Sequence, residues 1–195
     1  MNTYNRYKND RDLAWKIILD TGIRNLPVKI VRVCNSFNIK VKGCNMESSG
    51  KTALSPDGGY MILINSREPP KRQRFTCAHE LGHILLGHVD ELGKAYRDPH
   101  KEDNPHETDA NIFASRLLAP SIILRDIGAF TANDISRICD ISIEAARFRA
   151  ERLELLMKRE EKYLETRNRS CFGISRYERE VEKQFREFIE KFNRQ

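Results

Sequence analysis

His79-Glu80-Leu81-Gly82-His83 is the stretch of this chain best equipped for chemistry. On a helix, residues i and i+4 share one face, so imidazoles at 79 and 83 can reach a single metal ion. Glu80 would then stand beside that ion, placed as a general base for a water there. A catalytic zinc takes three protein ligands and leaves a fourth position open. A short polar stretch further on, His106 and Glu107 both offer a third ligand. Glu107 also has the ordinary reading of a first-turn acid favoured by the helix dipole. Likewise, a histidine pair at this spacing also occurs as hydrogen-bonded core. Zinc suits a histidine–carboxylate set best, although manganese and iron use such sets too.

These residues need elements to hold them. Phe75, Ala78, Leu81, Leu85 and Leu86 form an apolar stripe at helical spacing that no proline interrupts. Gly82 costs such a helix about 1 kcal/mol relative to alanine, which makes sense if another backbone, expected to be a strand, packs closely there. Ala110, Phe113, Ala114, Leu117 and Leu118 predict a second helix, and Pro120 stops it. Upstream, Leu13, Ala14, Ile17 and Ile18 predict a helix closing near Gly22. Another follows from Pro27 through Phe37. Strands are expected over 38–43, near 51–54 and, most strongly, over 60–65, after the Asp57-Gly58-Gly59 turn.

Two motifs in this order make the sequence recognisable. His-Glu-Leu-Gly-His is followed by Glu107, Ala110, Asn111, Phe113, Ala114, Leu117, Leu118 and Pro120. Together they resemble the ImmA/IrrE family of metallopeptidases; Ala119 departs from the methionine often found there. The resemblance implies that Glu107, not His106, is the third ligand of a Zn2+ ion held with His79 and His83. It also implies zinc-assisted peptide hydrolysis with Glu80 as the base. Family members often cleave or inactivate a helix-turn-helix repressor in mobile elements or stress responses, so a repressor is the expected protein partner. In similar enzymes a strand near the metal pairs with the substrate, and Tyr60, Ile62 and Ile64 lie on the candidate strand for that edge, with an interior strand that has no substrate role as the equal alternative. A regulator that binds a repressor or DNA without cutting it is the alternative. A toxin or antitoxin partner is a third reading.

The expected fold class is α+β: a mostly helical, zincin-like metallopeptidase with a small antiparallel sheet and a helix-turn-helix-like C-terminal region. The expected divisions are 1–122 for the metallopeptidase domain, 123–160 for the helical segment, and 161–195 for a charged linker and last helix.

Composition bounds the rest. A chain of 195 residues with 39% hydrophobic residues can bury a core. A mean hydropathy of -0.61 and the lack of a long apolar run argue against a membrane span. The polar N-terminus does not look like a signal peptide. Five scattered cysteines without a C-x-x-C pair read as free thiols, so a cytoplasmic location is expected. A net charge of +6 permits nucleic-acid contact without requiring it.

Outside the two motifs, 89–105 reads as a loop carrying Tyr96, Asp98 and His100. One of His88, His100, His106 or a tyrosine is a candidate oxyanion or leaving-group partner, though a surface or capping role is the commoner fate of such histidines. Lys71, Arg72 and Arg74 open the metal helix against its dipole, for which the sequence offers no account beyond solvation or a partner. Thr131 can cap a helix carrying Ile135 and Ile138, and Ser142 another through Leu156. Arg147, Arg149 and Arg152 lie on the second, making DNA contact the weaker possibility. Residues 158–169 read as a solvated helix or linker. Val181, Phe185, Phe188 and Ile189 predict a final helix that docks on the body or a partner.

Overall fold

The computed structural model describes residues 3–89, 104–167 and 175–194. Its elements are α1 (Thr3–Asp20), α2 (Ile30–Ser36), β1 (Lys40–Cys44), β2 (Gly50–Leu54), β3 (Tyr60–Asn65), α3 (Pro70–Leu85), α4 (Pro105–Leu118), α5 (Ser121–Asp126), α6 (Ala132–Cys139), α7 (Ile143–Arg167), α8 (Arg176–Gln184) and α9 (Arg186–Asn193). The fold is α+β and mostly helical, with one three-stranded sheet among the described residues. No described helix is long and apolar enough to cross a membrane. Two compact units emerge: Met1–Arg11 with Lys29–Ala114, and Asp12–Val28 with Ser115–Gln195.

In the first unit the strand order is β1-β3-β2. β2 and β3 form an antiparallel hairpin, in register from Gly50↔Ile64 to Leu54↔Tyr60. Its turn is closed by Ser55 N–H on the Gly59 carbonyl at 2.6 Å, with Gly58 at φ +82°. β1 instead runs parallel to β3, from Lys40↔Met61 to Cys44↔Asn65. The sheet is therefore mixed, which corrects the antiparallel expectation. Alternation along a strand marks which face is buried and carries no information about the direction of its partner.

A second correction concerns Tyr60, Ile62 and Ile64. β3 is paired on both sides, so it is the central strand and offers no edge to a peptide. Its nearly continuous apolar run is what an interior strand requires. Ile62 and Ile64 are buried. Of the two edges, β2 is the one that reaches the metal helix. A Cβ at Gly50 would collide with Thr76 Cγ2 and sit 3.4 Å from Glu80 Cγ.

α3 begins at Pro70, where a missing N–H costs nothing. Its basic start is partly explained: Arg72 Nε lies 3.2 Å from Glu68, whose carboxylate also accepts from Ser49 Oγ at 2.6 Å. α2 begins at Ile30, three residues beyond Pro27. Cys34 and Cys77 are buried with sulfurs 3.7 Å apart, and that contact, with burial, pushes the Cys77 thiol up. Cys34, Cys44, Cys77 and Cys139 are free thiols, while Cys171 lies outside the described residues.

In the second unit Thr131 Oγ1 caps α6 by accepting from Asp134 N–H at 3.1 Å. Asp140, at φ 53°, ends it. Ser142 Oγ accepts from Ala145 N–H at 3.2 Å and opens α7. α7 continues to Arg167, so 158–167 extends that helix. The expected last helix is divided at Phe185 into α8 and α9. Val181 and Phe185 are buried, and Gln184 Nε2 donates to the carbonyls of Ile18 and Ile23 at 2.9 and 2.6 Å, docking α8 on the end of α1.

Candidate metal centre

His79 and His83 occupy successive turns of one face of α3, as their spacing predicts. Glu107 is in the first turn of α4. What brings the two helices together is Gly82. A Cβ there would lie 3.0 Å from Phe113 Cδ1 and 3.3 Å from Ala110 Cα. The close neighbour is thus the backbone of α4, where a strand was expected.

The ligand atoms converge. His79 Nε2 and His83 Nε2 are 3.0 Å apart; Glu107 Oε2 is 3.1 Å from the first and Oε1 is 3.5 Å from the second. A small four-coordinate ion with bonds near 2.0–2.1 Å holds its ligand atoms about 3.3 Å apart, so this set fits one. His106, the alternative ligand, is not in this group; it faces His88, with ring centroids 4.2 Å apart.

Protonation supports the same fit. Asn111 Oδ1 lies 2.9 Å from His79 Nδ1. A carbonyl oxygen only accepts, so Nδ1 donates and Nε2 keeps its lone pair for a metal. When protons rather than an ion lie between them, hydrogen bonds from the imidazoles, His79 first and then His83, hold the Glu107 carboxyl well below the usual carboxylate range. The carboxylate is the form that a ligand must take. Glu80 is 2% exposed and His83 is wholly buried, so the base candidate sits in a place largely closed to bulk water.

In the sequence Asn111 marks only a position of the second motif. Its signal was available in the i, i+4 spacing from Glu107, which puts both on one face of α4. His88 and His106 were each expected on the surface or at a cap. Both instead join Asp109 in a second cluster, and His88 and Asp109 are buried. Tyr96, Asp98 and His100 lie outside the described residues.

Residues 34–151, more than half of the chain, match the profile of the IrrE N-terminal-like domain. The chain belongs to that family. Within it, the radiation response metalloprotease IrrE of Deinococcus deserti is 40% identical over 79 residues, covering 36% of this chain and 28% of that protein. The protein of the same name from Deinococcus radiodurans is 37% identical over 34% of this chain and 21% of its own length. The matched stretch thus spans less than a third of either relative. Among solved structures, a Mycobacterium tuberculosis transcriptional regulator is similar at 18% identity and a TM-score of 0.49, covering 73% of this chain and 47% of that one.

Proposed function

We propose that this chain is a zinc-dependent endopeptidase and that its substrate is a helix-turn-helix transcriptional repressor, whose cleavage or inactivation switches genes on. The convergence of His79, His83 and Glu107 beside Glu80 carries the reading. Membership of a family with named metalloproteases supports it.

His79, His83 and Glu107 would hold the ion, with Asn111 fixing the tautomer of His79. When bound, zinc supplies Lewis acidity to the scissile carbonyl and to the attacking water. Glu80 accepts the proton of that water and delivers it to the leaving amine. The substrate enters as an added strand on β2, the edge whose Gly50 lies against Thr76 and Glu80. Glycine at 50 leaves the room that this approach of strand and helix needs.

The test is cleavage of a repressor encoded by a neighbouring gene, with wild type and Glu80→Gln compared at measured metal content. The substitution should lower turnover by roughly 10²–10⁴ while keeping the ion, since it removes a proton acceptor and no ligand. Equal cleavage by both proteins refutes the role of Glu80. If neither cuts and both bind the repressor, the chain is a non-proteolytic regulator.

A further inference from the structure

Next to the first cluster is a second set of metal-type donors that the peptidase reading leaves unused. We propose that His88, His106 and Asp109 form a second metal site, taking a divalent transition-metal ion in addition to the one assigned to His79, His83 and Glu107. The proposal rests on separate residues and does not require the chain to be a peptidase.

One donor atom from each of the three residues lies within 4.8 Å of the other two, the same criterion that the first cluster meets. Two chain segments deliver them. His106 and Asp109 stand at i and i+3 on α4, which puts them on one face. His106 and Glu107 are consecutive, so about 100° of helix rotation separates them and each serves its own cluster. His88 arrives from the end of α3. Gly87 at φ +72° reverses the chain there, and His88 N–H donates to the His83 carbonyl at 2.8 Å. This turn points the imidazole back toward α4, its ring 5.6 Å from that of His83 and 4.2 Å from that of His106.

The chemistry of the donors selects the class of ion. Two imidazole nitrogens and one carboxylate oxygen are borderline ligands that suit zinc, cobalt, nickel or iron(II). Magnesium and calcium prefer oxygen throughout. Asp109 and His88 are buried, so two of the three donors are held away from bulk water. An ion there would tie the C-terminal end of α3 to the first turn of α4, the two places that carry His83 and Glu107.

The experiment is a metal count on the full-length chain, stripped with chelator, reloaded separately with Zn2+ and Co2+, and freed of excess ion by gel filtration. Elemental analysis gives the stoichiometry, and the visible absorption of Co2+ reports each nitrogen-containing environment. Wild type should bind about two ions per chain, while His106→Gln and Asp109→Asn each bind about one and lose one component of the cobalt spectrum. His79→Ala should keep about one ion, held by the second set. Wild type binding about one ion, lost in His79→Ala, overturns the proposal and leaves the cluster as a hydrogen-bonded support. Two ions that persist in both His106→Gln and Asp109→Asn also overturn it, by placing the second ion elsewhere. If one variant fails to fold, the wild-type count together with the other variant decides.

Discussion

The helix pairs α3–α4 and α6–α7 both bury polar side chains, and they use them differently. On α3 and α4, donors from three positions converge within 3.0–3.5 Å of one another. On α7 the buried Arg149 sends its Nε to the Ala119 carbonyl at 2.6 Å, where it serves the backbone. Burial pushes its guanidinium down to about 9, still charged at neutral pH. Arg147 and Arg152, its neighbours, are exposed. A buried polar group thus signals chemistry when its partners are other side chains with unused valence. When the partner is a lone carbonyl, it signals architecture.

That contrast can be tested most severely at the proposed ligands. His79→Ala should abolish metal binding at the first site, a loss above about 100-fold, because even neighbours of ligands are worth 10–100-fold. Elemental analysis and a zinc competition titration would show it, and unchanged affinity would remove His79 from the set. Asn111→Ala comes next, with a loss of about 10–100-fold in metal affinity and little change in folding. If that substitution unfolds the chain without touching affinity, Asn111 is architectural and the contrast fails at that residue.

In the second pair the effect should appear in stability. Arg149→Met keeps the stem and strands the Ala119 carbonyl, which costs about 1–3 kcal/mol in urea unfolding with metal affinity unchanged. Gly82→Ala lies between the two cases. The new methyl presses on Ala110 and Phe113, so stability falls by about 1–3 kcal/mol despite the better helix former, and metal affinity falls with it. Affinity that survives the substitution would mean that α4 can shift without moving Glu107.

The smallest effect is expected at Asp57, on the exposed hairpin turn. A hydrogen bond from Lys40 first, then others from Ser55 and Gly59, bring its carboxyl down to about 2. Because the folded value is below the unfolded one, the stabilisation is complete above about pH 4 and is lost as pH falls toward 2. Asp57→Asn should flatten the stability profile in that interval alone, by an amount that added salt reduces. A profile that changes near pH 7 would contradict this assignment.

The helices and their phases were legible because burial on a helix repeats every three to four residues and α3 and α4 carry that repeat clearly. The same regularity put His79 and His83 on one face, and the second motif singled out Glu107. The strand over 60–65 was legible for its apolar run. Its central place, and the parallel partner β1, were not, since backbone pairing leaves no mark in side-chain pattern. Gly82 announced a close approach without naming the element, because a missing Cβ is the same for a strand as for a helix. His88, His106 and Asp109 looked unrelated: two are near helix ends, where histidines and acids have ordinary dipole roles, and 18 positions separate His88 from His106.

The sequence alone therefore determined which side chains can share a metal through local geometry, since α-helical spacing fixes the relation of 79 to 83 and of 107 to 111. Tertiary structure decided everything that depends on the approach of separate segments: which edge of the sheet faces Glu80, that Ala110 fills the space beside Gly82, and that His88 meets His106 and Asp109. Those relations arise from packing between distant parts of the chain, whose distances no periodicity encodes.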